Sequence, residues 1–255
     1  MLKPNPQLKN IISYKPGKSV EELQKELGIK KAIKLASNEN PFGTSQRVRE
    51  AIKNYLKNIH IYPDSHCVSL KEKLSSKLNV DYSQIIIGNG SDEVIELIFK
   101  AYIDKNDEIL TCYPTFQYYK IAAQQTFGTF KEIPLKNYCF DLKGLLDSID
   151  KKTKIIIICN PNNPTGTYIE NKQLYDFVKK IPENVLLIID EAYFEFFEKD
   201  KIVDGVEFVK NFSEKNIIIL RTFSKIYGLA SLRIGYGISK PEIINNLNKV
   251  RQPLM

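Results

Sequence analysis

The sequence has few cysteines, no long apolar run and no block of like charges, and each absence excludes a class of protein. Its four cysteines, Cys67, Cys112, Cys139 and Cys159, show no CxxC spacing, so no metal site is predicted and a reducing compartment is indicated. The N-terminus lacks the apolar region of a signal peptide, and apolar runs such as residues 155–159 are too short to cross a bilayer. We therefore expect a cytoplasmic protein without a membrane segment.

The positive charge does not indicate a nucleic-acid surface. The net charge is +7, but no run of five or six like charges occurs and no basic stretch alternates with aromatic residues. A modest positive field equally suits an anionic small molecule. The hydrophobic fraction of 43% and the charged fraction of 26% are typical of soluble domains. The length allows one large α/β domain, or a domain with an appendage.

Short β-branched runs alternate with helical patterns along most of the chain. The predicted strands are Ile85–Ile87, Glu108–Cys112, Thr129–Ile133, Lys154–Cys159, Val185–Ile189, Ile217–Leu220 and Arg233–Ile238. Runs this apolar are buried on both faces, which predicts a three-layer α/β/α fold around a mostly parallel, seven-stranded sheet. Ser91 is expected to cap the helix that follows the first strand. Ser19 and Glu22 form the pattern of a capping box, which predicts a short helix through Leu27.

In an open α/β sheet the ligand lies beyond the carboxyl ends of the strands, so polar residues there are candidates for the site. The first such stretch is "GNGSD", in which Gly90, Ser91 and Asp92 open a helix. A glycine-rich turn at a helix N-terminus can bind a phosphate, but it can also be an ordinary tight turn. Neither GxGxxG with its following acidic residue nor the GK[ST] of a P-loop is present.

Three more strand ends carry polar groups in rigid or apolar settings. In "NPNNPTG", Asn163 is held beside proline, and in "LLIIDEAY", Asp190 follows five apolar residues with Tyr193 three positions on. A carboxylate at that depth needs a cation or a protonated ring nitrogen, although a structural ion pair is the alternative. In "RTFSKIYGLASLRIGY", Lys225 lies in an ordered setting between a strand and a Gly-Leu turn. Such a lysine can be held and partly desolvated for reaction with an aldehyde, with Ser224 and Arg233 near a phosphate.

One ligand explains all four stretches, namely pyridoxal 5'-phosphate. Lys225 would bind the aldehyde covalently, Asp190 would keep the ring nitrogen protonated, and Tyr193 and Asn163 would bond the ring oxygen. The phosphate would be held by the remaining polar groups: Gly90, Ser91, Asp92, Ser224 and Arg233.

The chain resembles the fold-type I aminotransferases, and within them the histidinol-phosphate branch. The resemblance is carried in order by "SYKPGKS", "LASNENPFGTS", "YPD", "GNGSDE", "YPTF", "NPNNPTG", "DEAYFEF" and "RTFSKIYGLASLRIGY". It implies that Phe116 stacks on the cofactor ring, that Thr222 belongs to the cofactor site, and that Tyr62 reaches the cofactor of the other subunit of a homodimer. Tyr14 and Asn40 match positions that line the substrate pocket; a packed aromatic and a loop amide are the alternatives.

The resemblance also implies a reaction and a domain arrangement. The expected reaction converts L-histidinol phosphate and 2-oxoglutarate to imidazole-acetol phosphate and glutamate, in L-histidine biosynthesis. Residues 1–32 would form an arm of the small domain, 33–240 the cofactor-binding large domain, and 241–255 the start of an inter-domain helix. Relatives continue beyond this point, so we expect either a truncated or interrupted copy or a part of a longer protein, and in both cases impaired substrate binding. The alternatives are threonine-phosphate decarboxylase, an aromatic aminotransferase, an inactive cofactor-binding remnant, or a basic binding module that uses the fold as a scaffold.

Overall fold

The computed structural model describes residues 2–3, 11, 17–198 and 201–253. Within these residues no helix is both long and apolar enough to span a membrane. Tyr14 lies outside the described residues, so its predicted role stays a prediction.

The described part of the chain forms one seven-stranded sheet, as the sequence predicts. The strands are β1 (Ile85–Asn89), β2 (Glu108–Tyr113), β3 (Thr129–Pro134), β4 (Thr153–Cys159), β5 (Leu186–Asp190), β6 (Asn216–Thr222) and β7 (Ile234–Ser239). Their spatial order is β1-β7-β6-β5-β4-β2-β3. The pairs from β3 to β6 are parallel, and β7 is antiparallel to both of its neighbours. The expectation of a mostly parallel sheet is confirmed.

Helices precede the first strand, lie in most of the connections between strands, and follow the last strand. They are α1 (Val20–Leu27), α2 (Gln46–Tyr55), α3 (Val68–Leu78), α4 (Gly90–Tyr102), α5 (Tyr118–Gln124), α6 (Leu142–Asp147), α7 (Asn171–Lys180), α8 (Val206–Asn211) and α9 (Pro241–Val250). Helix α4 packs on β1, β6 and β7, and α8 packs on β6 and β7. Runs of β-branched residues in the central strands, such as Ile155–Ile158, are fully buried because helices cover the sheet.

One of the two predicted helix starts differs from the structure, and the other agrees with it. The N-cap of α4 is Asn89 rather than Ser91, which lies inside the first turn. The turn tightens earlier because Gly90 adopts a φ of 75° and its N–H donates to the carbonyl of Arg233. Ser19 caps α1 as predicted, since its hydroxyl accepts a hydrogen bond from the N–H of Glu22.

The segment that precedes the sheet leaves many apolar side chains exposed. We call residues 33–62 the apolar segment, because Ile33, Leu35, Phe42, Ile59 and Tyr62 are 73–96% exposed. Its helix α2 has no buried residue. Several large apolar side chains left exposed in one segment are a feature of interaction surfaces.

Candidate active site

The sheet brings all four predicted polar stretches to one edge. Strands β4, β5 and β6 are adjacent and parallel, so Asn160, Asp190 and Thr222 end at the same side. Strand β1 is separated from β6 by the antiparallel β7 and therefore runs in the same direction as β6. Its carboxyl end, where Gly90 opens α4, reaches the same edge. The carboxyl ends of the strands thus form one polar rim, as expected of an open α/β sheet.

Asp190 is a buried carboxylate held by two hydrogen bonds. It is 2% exposed. The hydroxyl of Tyr119 donates to Oδ2 at 2.7 Å, and the N–H of Ala192 donates to Oδ1 at 3.1 Å. Burial raises the pKa of Asp190 to about 6, while the two hydrogen bonds oppose the shift. Among the described residues, no cationic side chain lies within ion-pair distance of this carboxylate.

Lys225 follows β6 and is half-buried beside three carboxylates. Burial lowers the pKa of Lys225, and the carboxylates of Asp92, Glu39 and Asp190 oppose that shift. Its Nζ donates to the carbonyl of Ser37 at 2.9 Å and lies 5.6 Å from the ring centroid of Tyr193. A lysine whose neutral form is favoured by partial desolvation is suited to nucleophilic and acid–base chemistry.

A loop from residues 36–44 lies over the lysine. The amide of Asn38 donates to the hydroxyl of Tyr193 at 2.9 Å. Thr44 donates to the carbonyl of Gly228 at 2.5 Å, and a Cβ at Gly228 would lie 2.3 Å from the carbonyl oxygen of Gly43. The loop therefore packs directly on the Gly-Leu turn, and glycine is required at position 228 for this approach.

Asn40 in this loop bonds to main-chain groups. Its Nδ2 donates to the carbonyl of Ile226 at 2.8 Å, and its Oδ1 accepts from the N–H of Phe42 at 3.0 Å. The side chain thus anchors the loop next to Lys225. Its predicted contact with substrate stays a prediction.

The turn between β1 and α4 forms a narrow cradle with the segment before β7. Arg233 donates from Nη2 to Oδ2 of Asp92 at 2.9 Å. A Cβ at Gly90 would lie 2.5 Å from Nη2 of Arg233, and a Cβ at Gly235 would lie 2.2 Å from the backbone nitrogen of Ser91. The N-cap residue of α4, Asn89, makes no side-chain hydrogen bond to the N–H groups of the first turn. This arrangement of N–H groups and a guanidinium suits an anion.

Hydroxyl groups at the end of β6 lie close to each other. The hydroxyl of Thr222 donates to that of Ser224 at 2.9 Å and accepts the backbone N–H of Ser224 at 3.1 Å. Both residues are buried. They shape the turn that leads into Lys225.

The neighbouring turns after β2 and β4 are tied together by Asn162. Thr115 donates to its Oδ1 at 2.8 Å, and its Nδ2 donates to the carbonyl of Pro114 at 3.2 Å. Asn163 and Phe116 are thereby fixed on adjacent turns, and both are half-buried. Phe116 packs against Tyr119 in a T-shaped contact, with ring centroids 5.4 Å apart.

Tyr62 is not brought to this rim within one chain. It is 79% exposed and belongs to the apolar segment.

A cavity of about 910 Å³ lies between α6 and α7, away from the rim. It is lined by none of the predicted site residues.

Sequence reasoning missed Tyr119, Asn162 and the buried pair of Glu191 and Arg221. Tyr119 lies three positions after Phe116 in "YPTFQYYK", and Glu191 directly follows Asp190. Their closeness in the sequence to predicted site residues is the feature that could have identified them.

The sequence and the fold both match known proteins. Residues 30–255 match the family described as aminotransferase class I and II. The histidinol-phosphate aminotransferase of Caldicellulosiruptor saccharolyticus is 47% identical over 96% of this chain and 68% of its own length. That of Moorella thermoacetica is 45% identical over 96% of this chain and 63% of its own length.

A solved structure matches almost the whole chain. Histidinol-phosphate aminotransferase from Sinorhizobium meliloti, in complex with pyridoxal-5'-phosphate, gives a TM-score of 0.89 at 27% identity, covering 99% of this chain and 67% of that one. The chain thus spans about two thirds of the length of these relatives. With its fold, its strand-end residues and these matches, the chain belongs to the class I and II aminotransferases and, within them, to the histidinol-phosphate aminotransferase family.

Proposed function

We propose that this chain binds pyridoxal 5'-phosphate and transfers an amino group from L-histidinol phosphate to 2-oxoglutarate, giving imidazole-acetol phosphate and glutamate in L-histidine biosynthesis. The observation that carries the proposal is the buried carboxylate of Asp190, which has no cation within ion-pair distance among the described residues and lies on the same rim as Lys225. The identity of 47% to a histidinol-phosphate aminotransferase supports the choice of reaction.

The residues at the rim fit this cofactor. A fully buried carboxylate without a cation among the described residues is costly, and a protonated ring nitrogen would compensate it. The cradle that Gly90 opens offers the N–H of Ser91 and the guanidinium of Arg233 for a phosphate. Asn163 and Tyr193 are the predicted partners of the ring oxygen, and Phe116 is the predicted stacking residue. Thr222 and Ser224 shape the turn beside the cradle.

When bound, pyridoxal phosphate supplies an electron sink that weakens the bond between the α-carbon and hydrogen of an attached amino compound. Asp190, when ionised, would keep a proton on the ring nitrogen of the bound cofactor. The amine of Lys225, which partial burial favours in its neutral form, would take the proton from the substrate Cα and deliver it to the C4' carbon of the cofactor, and with the keto acid it would move a proton in the opposite direction. Tyr14 and Asn40 are proposed to line the substrate pocket.

We also propose a homodimer located in the cytoplasm. The apolar segment, which includes Tyr62, is the proposed dimer surface, and its exposed side chains support this assignment. All four cysteines are free thiols, as is usual in a reducing compartment. The proposed division is an arm of residues 1–32, a large domain of 33–240 and the start of an inter-domain helix at 241–255.

An amino-donor panel tests the proposed reaction. The purified chain with added pyridoxal phosphate is assayed for glutamate formed from 2-oxoglutarate, with L-histidinol phosphate, L-phenylalanine and L-threonine phosphate as donors. Turnover with L-histidinol phosphate above the other donors, and its loss in Lys225→Ala, is the expected result. Equal turnover with L-phenylalanine supports an aromatic aminotransferase, and turnover with none of the donors contradicts the proposed activity.

A further inference from the structure

Tyr119 is a fully buried tyrosine whose hydroxyl bonds a carboxylate on the rim. It lies on α5 with 0% exposure, and its Oη is 2.7 Å from Oδ2 of Asp190. A buried hydroxyl is unfavourable unless it is hydrogen-bonded, so phenylalanine would serve an exclusively packing role better than tyrosine does. The hydroxyl therefore has a function that packing does not explain.

The direction of this hydrogen bond is fixed by burial. Burial raises the pKa of Tyr119 well above its ordinary value, so the phenol stays protonated and is the donor. A donor to a carboxylate favours the ionised form, and the bond from Tyr119 opposes the effect of burial on Asp190. With the N–H of Ala192 on Oδ1, the two donors hold the two carboxylate oxygens in one orientation.

The ring of Tyr119 has a second contact at the rim. Phe116 meets it in a T-shaped arrangement, with ring centroids 5.4 Å apart and an angle of 88° between the planes. One residue of α5 therefore touches both the carboxylate and the aromatic side chain that are predicted to contact the cofactor ring. Edge-to-face pairs of this kind restrain the orientation of both rings.

We propose that Tyr119 is a positioning residue for cofactor binding: its hydroxyl keeps Asp190 ionised and oriented, and its ring supports Phe116. This inference rests on the proposed function, since it assigns Asp190 to a protonated ring nitrogen. Because Tyr119 is fully buried, we assign its effect to Asp190 and Phe116 rather than to a contact of its own with the cofactor or substrate.

The pH dependence of cofactor binding reports this role, and several groups surround Asp190. The titratable groups that interact with it are Tyr119 on α5, Cys159 at the end of β4, Asp92 on α4, Tyr193 after β5 and Lys225 after β6. Replacing Tyr119 by phenylalanine removes a hydrogen bond that lowers the pKa of Asp190, so this pKa rises further above about 6. The hydroxyl of Tyr119 also interacts with the thiol of Cys159, but burial raises the pKa of that thiol to about 12 and it stays neutral over the range tested. The difference from the original chain therefore isolates the hydrogen bond to Asp190.

The test is a titration of cofactor-free protein with pyridoxal phosphate between pH 5.5 and 8.5, followed by absorbance. The variants are Tyr119→Phe and, as a matched control, Tyr102→Phe, which removes a half-buried hydroxyl that accepts from Asn246 outside the rim. At pH 7 we expect Tyr119→Phe to raise the Kd about 10-fold, the size of one hydrogen bond to a charged group. The pH below which affinity falls should move up by about one unit in Tyr119→Phe alone.

Three other results of this titration would overturn the proposed role of Tyr119. A Tyr119→Phe variant with the affinity and pH midpoint of the original chain overturns the inference. Weaker binding by the same factor at every pH also overturns it, since that shows a merely structural role. If the original chain itself binds no pyridoxal phosphate, the proposed function fails together with this inference, and that result is distinguishable because Tyr102→Phe and the original chain fail alike.

Discussion

The guanidinium of Arg221 donates two hydrogen bonds to one carboxylate oxygen of Glu191, with Nε and Nη2 at 2.9 and 2.6 Å from Oε2. Both side chains are buried, and Nη2 also bonds Oδ1 of Asp204 at 2.6 Å. Burial alone would lower the pKa of Arg221, but the two carboxylates outweigh it and the net shift is upward. The network joins the residue after β5 to the end of β6, and these are the two strand ends that carry Asp190 and Lys225.

Removing the guanidinium should destabilise the fold strongly. Arg221→Met leaves the carboxylate of Glu191 buried without its cation, for which we expect a loss of about 3–5 kcal/mol in the free energy of unfolding. Urea denaturation of the two proteins measures this loss in the free energy of unfolding. The control is Lys143→Met, which removes an exposed ion pair with Asp147 on α6 and should change stability by at most about 0.5 kcal/mol. Equal effects of the two variants would contradict a buried network.

Asp190 should make the cofactor-free protein less stable as the pH rises. Burial raises its pKa in the folded chain to about 6, above the ordinary value of 3.8, so its favourable contribution to stability is full below about pH 4 and is lost as the pH rises through about 6. The difference of about 2 units corresponds to roughly 3 kcal/mol. Asp190→Asn has no such charge, and we expect it to be more stable than the original chain at pH 7 while binding pyridoxal phosphate far more weakly.

Unfolding of both proteins without cofactor at pH 4.5 and pH 7 measures this effect. Glu191, whose pKa burial raises to about 7, titrates in both proteins and cancels in the comparison. A stability difference between the two proteins that does not change with pH contradicts the assignment of a raised pKa to Asp190.

Gly90 should be required for cofactor binding as well as for its backbone angle. Gly90→Ala places a Cβ against Nη2 of Arg233 at a φ of 75°, whereas Gly28→Ala, at a φ of 65° after α1, meets nothing within 4 Å. Both substitutions should lower stability by about 1 kcal/mol because of the positive φ. Only Gly90→Ala should weaken pyridoxal phosphate binding, by about 10-fold or more, since it displaces the guanidinium. Titration of both variants with the cofactor tests this, and equal affinities would contradict the cradle.

The apolar segment should hold two copies of the chain together. Ile59 is 73% exposed, and Ile59→Asp should convert a dimer to a monomer in sedimentation velocity because it introduces a charge into an apolar interface. Phe127→Asp is the control, since Phe127 is 64% exposed in the loop between α5 and β3. A monomeric original chain, or a dimer that survives Ile59→Asp, contradicts the proposed surface.

The fold and the edge that carries the site follow from simple patterns in the sequence. Buried strands such as β4 and β5 are continuous β-branched runs, and the polar residue that ends each run, for example Asp190, is conspicuous against them. The strand order was not needed to locate these residues, because parallel strands place their carboxyl ends on one side.

The partners of these residues were harder to predict. The sequence pattern around Tyr119 predicts a core aromatic residue in a short helix. Only the packing of α5 against the sheet shows that its hydroxyl reaches Asp190. The pairing of Arg221 with Glu191 depends on the register of β6 beside β5, which no local pattern encodes. The contact of Lys225 with the carbonyl of Ser37 likewise joins residues far apart in the chain.

Reductive trapping tests the central claim, that Lys225 is the residue that binds the cofactor aldehyde. The purified chain is incubated with pyridoxal phosphate, reduced with borohydride, digested and mapped by mass spectrometry, with Asp190→Asn and Lys225→Ala treated in parallel. We predict one pyridoxyl group on Lys225 in the original chain, and none at this position in Lys225→Ala. A label spread over surface lysines, or its absence from Lys225, would contradict the account.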